Sequence, residues 1–344
     1  MTMPERIENI QQLEDMLSEP TPGAVEAMKQ LDGDIMILGV GGKIGPSLAR
    51  MTIRAIAASG KKRKLIGVER AFQGNAKQEL DDLGVETIEA DLLDQDQLDA
   101  LPQAKNIVFM AGMKFGSTGN EPLTWAINTF LPGVVGRHFS NSRIISFGSG
   151  NIYGLVPISQ GGSDESQTPN PFGEYAGSCF GRERMFEHFS IVNGTPVTLF
   201  RLNYAVEMRY GVLVDIAQQV HNGETINLAM GNVNVIWQGD VNALVLQSFG
   251  VAASPAFILN VAGPELLSLR KVATMYGQLM GKEVTFEGEE ANDVLYSNAQ
   301  TCHRLFGYPR VGVQQMVHWI ADWVSRGGES LGKPSHFEVR DGKF

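Results

Sequence analysis

Three glycines, Gly39, Gly42 and Gly45, stand in the segment Gly39-Val40-Gly41-Gly42-Lys43-Ile44-Gly45, directly after the apolar run Ile35-Met36-Ile37-Leu38 and directly before a helical stretch. A strand, a glycine turn and a helix in that order make a binding site for a dinucleotide. Gly39 permits the tight turn, Gly42 lets the backbone approach a pyrophosphate, and Gly45 lets the helix pack closely on the strand. The helix that Lys43 and Ile44 lead into offers free N–H groups and the positive end of its dipole to the phosphates. The next apolar run ends Leu65-Ile66-Gly67-Val68-Glu69. Glu69 is placed there to accept hydrogen bonds from the adenosine ribose and to repel a 2′-phosphate, so NAD is expected rather than NADP. Arg70 follows it directly.

These residues need a scaffold, and the surrounding pattern supplies one. From Asp34 onward, short apolar runs alternate with helical periods, as in a parallel sheet covered on both faces. Strands are expected at 35–38, 64–68, 86–89, 106–110, 143–147 and 196–201. Helices are expected between them at 46–59, 76–83, 95–100, 121–139 and 174–193. The fold class is therefore α/β, a Rossmann-type doubly wound parallel sheet over 34–201. Residues 1–33 read as a helical extension packed on the outside, with Ile7, Ile10, Leu13 and Leu17 on one face and Pro20-Thr21-Pro22-Gly23 breaking the pattern. Residues 202–344 read mainly as a smaller substrate-binding lobe, with returns to the main sheet left open. That lobe ends in an amphipathic helix carrying Val313, Met316, Val317, Ile320, Trp323 and Val324.

Bulk properties narrow the function classes. The 344 residues carry a formal net charge of -10, so the surface as a whole repels phosphate backbones and no nucleic-acid partner is expected. The mean hydropathy is -0.08, and no apolar stretch approaches the ~18 residues of a membrane span. No signal peptide and no anchor are read, which makes a cytoplasmic protein the expectation. The two cysteines, Cys179 and Cys302, are far apart, and neither they nor the six histidines show metal-ligand spacing. No metal is expected.

With the motifs taken in order, the chain resembles the extended short-chain dehydrogenase/reductase family, the NAD-dependent epimerases and dehydratases that act mainly on sugars. The spacing Gly39-x-x-Gly42-x-x-Gly45 is that family's. Asp91-Leu92 is similar to the pair that contacts adenine. Phe109-Met110-Ala111-Gly112-Met113-Lys114 is similar to the stretch passing under the nicotinamide half, where some members carry a lysine for the cofactor phosphates. Asn128 matches the asparagine that supports the active-site geometry. The resemblance implies that Ser149, in Ser146-Phe147-Gly148-Ser149-Gly150-Asn151-Ile152-Tyr153-Gly154, takes the place of the catalytic serine or threonine. It likewise implies that Tyr175, in Pro171-Phe172-Gly173-Glu174-Tyr175, takes the place of the catalytic tyrosine. Arg201-Leu202-Asn203-Tyr204 and Gly239-Asp240-Val241 are similar to later landmarks. The resemblance covers roughly 34–325 and implies a homodimer formed through the helices at 121–139 and 174–193.

The chemistry asks for the same residue types. Moving a hydride between a carbinol and a nicotinamide ring requires a base for the hydroxyl proton and a donor to hold the oxygen as its charge changes. Tyr175 can be the base and Ser149 the donor. One departure bears on this. The family carries a lysine four residues after the tyrosine, one helical turn along the same face, and here that position is Cys179. A phenol has a pKa near ~10, and lowering it by about three units represents roughly 4 kcal/mol, which a neutral thiol cannot supply. Three readings stay open: a substitute cation, with Arg182 on the same helix face and Lys114 on the facing loop; Tyr175 as a neutral donor or anchor; or NAD binding without turnover, as in a sensor or scaffold.

Family members that act on nucleotide-linked sugars usually carry an arginine shortly before the motif around Asp240. This chain reads Gly231-Asn232-Val233-Asn234-Val235-Ile236-Trp237 there, without a cation. The expected substrate is a free sugar, sugar acid or other small polyol, with Met113, Ser149, Asn203 and Arg209 as pocket residues. The expected activity is an NAD-dependent oxidation or epimerisation at a hydroxyl or keto group. A dehydratase or lyase retaining its NAD is a further alternative.

Overall fold

The computed structural model describes residues 3–114 and 116–342. Seven parallel strands form the central sheet: β1 (Ile35–Leu38), β2 (Leu65–Glu69), β3 (Glu86–Glu89), β4 (Asn106–Phe109), β5 (Arg143–Ser149), β6 (Val197–Leu202) and β7 (Phe257–Val261). Their order is β7-β6-β5-β4-β1-β2-β3, so the chain reverses direction between β1 and β4. The carboxyl ends of those two strands therefore border the crevice in which such sheets bind ligands. Six strands lie within two residues of where the apolar runs placed them. β7 is the return from the second half of the chain.

The alternation along β1 shows how the sheet is covered. Ile35 and Ile37 face one apolar core, whereas Met36 and Leu38 face another on the opposite side. Helix α3 (Gly45–Ser59) packs in the first core. The second core takes in Leu131 and Val135 of α7 (Leu131–His138) and Phe186 of α8 (Gly173–Asn193). Between α6 (Glu121–Trp125) and α7 lies a π turn, Ala126–Phe130.

A third core fills the lobe beside the sheet. Its parts include α9 (Val212–Asn222), α11 (Leu269–Met280) and α13 (Val313–Ser325), together with short strand pairs such as Asn232–Val233 with Leu267–Ser268. The N-terminal segment enters this core rather than lying outside it. Ile7, Leu13 and Leu17 are buried to 1% or less, on and just before α1 (Ile10–Leu17). Amphipathicity foretold the helix, but not that its apolar face would complete the lobe. The break at Pro20–Gly23 starts a second helix, α2 (Pro22–Gln30), because the Thr21 hydroxyl caps it and proline is tolerated in a first turn. Among the described residues, no helix is long and apolar enough to cross a membrane.

Candidate active site

Gly39 leaves β1 with φ +89°, and a Cβ there would lie 2.7 Å from the Ala111 nitrogen. The turn thus needs glycine twice over, for its left-handed backbone and for its contact with the segment leaving β4. At Gly45 a Cβ would fall 2.0 Å from the Val40 carbonyl oxygen, so the helix start lies directly on the turn. Gly42 differs: its nearest neighbour would be the Gly39 oxygen at 3.6 Å, which leaves that face open to a ligand. No side chain caps the N-terminus of α3, so its first N–H groups are directed at whatever occupies the crevice.

Two cavities meet at this turn. One, of about 400 Å³, runs over Gly39, Gly42 and Glu69 to Asp91 and Leu92, with Arg70, Ala111 and Gly112 on its walls. Glu69 accepts a hydrogen bond from the Gly41 N–H at 2.8 Å, which fixes its carboxylate at the mouth of the turn. An uncapped helix, an open glycine face and a carboxylate at the end of β2 are the features that fit a dinucleotide's phosphates and adenosine ribose.

The second cavity, of about 210 Å³, holds Ser149, Tyr175, Asn203, Ile44, Lys43 and Lys114 on its walls. Ser149 ends β5 and Tyr175 lies in the first turn of α8, and the two side chains are hydrogen-bonded. Burial and the neighbouring Cys179 hold the Tyr175 phenol well above the ordinary tyrosine range, against the pull of Arg182 and the Ser149 bond. Cys179 is itself buried, and burial pushes its thiol up. It therefore stays neutral and hydrogen-bonded to Tyr175 rather than serving as a nucleophile.

The cation of the same helix that acts on the phenol is Arg182. Its guanidinium is buried and donates to the Phe147 carbonyl at 2.6 Å and to Asn128 Oδ1 at 2.8 Å. Asn128, in the π turn, also accepts from the Met113 N–H and donates to the Met113 carbonyl, both at 2.8 Å. Its amide donates further to Ser178 Oγ at 3.0 Å, and Ser178 donates to the Tyr175 carbonyl at 2.9 Å. Asn128 is thus a positioning residue beneath the cavities. Lys114 Nζ lies 5.9 Å from the centroid of the Tyr175 ring.

Sequence reasoning grouped Lys43 with the phosphate-binding turn, but its ammonium lies 3.2 Å from the centroid of the Tyr210 ring, against the lobe. Met113 lines neither cavity and is held through its backbone by Asn128. Arg209 is taken up elsewhere, paired with Glu14 at 2.7 Å and Glu207 at 2.9 Å, where it ties α1 to the lobe. Asn203 reaches the cavity while donating to Asn234 Oδ1 at 2.7 Å. Tyr204, Tyr210, Gln238 and Ser335 also line it, and sequence reasoning missed all four. Tyr204 has φ +42°, a strained value of the kind concentrated at ligand sites, but nothing in its sequence context signals it. Among the described residues, no group of three or more His, Cys, Asp or Glu side chains converges as metal ligands would.

Sheet order and crevice together define a two-lobed Rossmann architecture. Solved structures share that fold. MoeE5 in complex with UDP-glucose and NAD aligns with TM-score 0.68 and 17% identity, over 86% of this chain and 99% of its own. UDP-glucuronic acid 4-epimerase from Bacillus cereus, in complex with UDP-glucuronic acid and NAD, aligns with TM-score 0.71 and 14% identity, over 85% and 99%. DesIV, a dTDP-glucose 4,6-dehydratase from Streptomyces venezuelae with NAD bound, aligns with TM-score 0.70 and 18% identity, over 85% and 97%. At these identities the likeness is one of fold. No protein-family model matches the chain, and no curated protein sequence matches it.

Replacing Arg182 by methionine takes its donor from the buried Phe147 carbonyl and leaves Asn128 Oδ1 with the Met113 N–H alone, which is expected to cost about 3 kcal/mol. Urea unfolding measures this, and a loss below about 1 kcal/mol would show that the guanidinium does not hold the corner.

Proposed function

We propose that the chain is an NAD-dependent oxidoreductase or epimerase acting on a hydroxyl or keto group of a small sugar-like or sugar-acid substrate. The observation that carries this reading is the hydrogen-bonded pair of Ser149 and Tyr175 at the carboxyl edge of the sheet, in a cavity that meets the glycine turn. When bound, the nicotinamide would supply the hydride acceptor or donor. The residues around it have separate tasks. Gly39, Gly42 and the open end of α3 receive the phosphates, and Glu69 receives the adenosine ribose, which selects NAD over NADP. Tyr175 Oη takes the proton of the substrate hydroxyl, and Ser149 Oγ holds the substrate oxygen as its charge changes.

The environment of Tyr175 sets the pH dependence. As a base the phenol must first lose its proton, and below its pKa the phenolate fraction falls tenfold for each pH unit. With that pKa held high by burial, alcohol oxidation is expected to climb through about pH 9 without levelling near neutrality. Carbonyl reduction, which uses the protonated phenol, holds its rate over the same range. Initial rates followed at the reduced-nicotinamide absorbance, with sugars and sugar acids as substrates, test both. Tyr175→Phe is expected to lower turnover by about 100-fold or more. Turnover that survives this substitution sinks the tyrosine mechanism.

A homodimer is part of the proposal. The face formed by α6, the π turn, α7 and α8 carries an apolar groove of about 920 Å³ with Trp125, Phe130, Val134, Met185 and Phe189 along it. Phe130 is 62% exposed, and a second copy of this face would cover it. Phe130→Glu is expected to yield a monomer in sedimentation, and a wild-type protein that sediments as a monomer contradicts the assignment. The two cysteines are both free and buried, which supports a reducing, cytoplasmic compartment; recovery from an extracytoplasmic fraction would count against it.

A further inference from the structure

The cavity at Ser149 and Tyr175 is lined by two lysines, which neutral-sugar chemistry does not require. Lys43 enters from the glycine turn and Lys114 from the segment after β4, so two ammonium groups share a space of about 210 Å³. Burial, with Lys114 and Lys333 as like-charged neighbours, lowers Lys43 to about 7, and Asp215 opposes that shift. Burial lowers Lys114 to about 8 against the raising effects of Cys179, Asp215 and Glu338. Each lysine is already held in place: Lys43 lies over the Tyr210 ring, and Lys114 donates to the Ser335 carbonyl at 3.1 Å. Asp215 is engaged by the C-terminal segment, accepting from the Ser335 N–H at 2.7 Å and from the Ser335 hydroxyl.

Helix α9 adds to the same field. Gly211 and Val212 line the cavity at its start, and no side chain caps that end. Two placed lysines and an uncapped helix start thus face one small space from separate elements.

We infer that this cavity is built for a substrate carrying a carboxylate, with Lys43 and Lys114 clamping the acid group while its hydroxyl reaches Ser149 and Tyr175. The inference rests on the proposed hydride-transfer reading and names its substrate class: a small sugar acid rather than a neutral polyol.

The test uses the full chain with NAD, comparing four- to six-carbon aldonates with the alditols of the same length and with sugar phosphates. Aldonates are expected to exceed alditols in kcat/KM by about tenfold or more, and to exceed sugar phosphates as well. In Lys43→Met and Lys114→Met, KM for the aldonate is expected to rise about tenfold, which brings the aldonate-to-alditol ratio toward one. Calorimetric NAD binding by the same variants is expected to weaken by less than about threefold. Thermal melting of each variant establishes that it is folded, and the two substitutions test the clamp independently. Equal use of alditols, a preference for phosphates, or an unchanged ratio in both variants overturns the inference, even if hydride transfer itself is upheld. The inference also falls if Lys43→Met and Lys114→Met weaken NAD binding and spare the ratio. Conversely, aldonate that binds the NAD complex without turnover, and loses affinity in the lysine variants, upholds the clamp and removes the hydride-transfer reading.

Discussion

A guanidinium withdrawn from water must find acceptors for its donors, and Arg182 finds them where the working parts of the sheet converge. It binds the Phe147 carbonyl near the end of β5 and the side chain of Asn128 in the π turn, with the Phe109 ring of β4 5.6 Å away. Asn128 is then held on every side, and through Ser178 it reaches the backbone of Tyr175. The loop carrying Lys114, the strand end carrying Ser149 and the helical turn carrying Tyr175 are thereby locked in one arrangement. A π turn at this point is consistent with the tendency of such turns to occur at functional sites.

The same arrangement explains why the corner tolerates Cys179. A cation one turn after Tyr175 would act on the phenol directly, whereas Arg182 acts from farther along the helix with its donors already engaged. Burial then dominates, and the phenol is held high. One residue beyond Arg182, Glu183 pairs with Arg201 of β6 at 2.7 Å, with both side chains 2% exposed. Arg201 also donates to the Tyr153 hydroxyl. A single helix thus joins the corner of Ser149 and Tyr175 to β5 and β6 through two buried arginine contacts. Removing either partner of such a buried pair leaves a charge with no water to solvate it.

Much of the sheet was legible because strands buried on both faces read as unbroken apolar runs. β7 was not, since Asn260 interrupts its run. Its side chain is satisfied only by Ser163, Asn298 and Tyr153, all distant in sequence. Arg209 was misjudged as a pocket residue because a lone cation carries no sign of its partner. Glu14, 195 positions away, claims it only once α1 joins the lobe. The lobe's short strands pair two residues at a time, too little for any periodicity to register.

The glycine turn at Gly39–Gly45, the acidic end of β2 and the order of strands and helices were determined by the sequence itself, because each is carried by the residue types of a short continuous stretch of chain. The wall of the second cavity was decided only by the tertiary structure. Lys43, Lys114, Tyr210 and Ser335 come from four separate stretches of chain, and their shared electrostatic environment exists only after the lobe closes on the sheet. Local pattern places a residue on an element and a face, but the partner of a buried charge is set by which distant surface arrives to exclude the water around it.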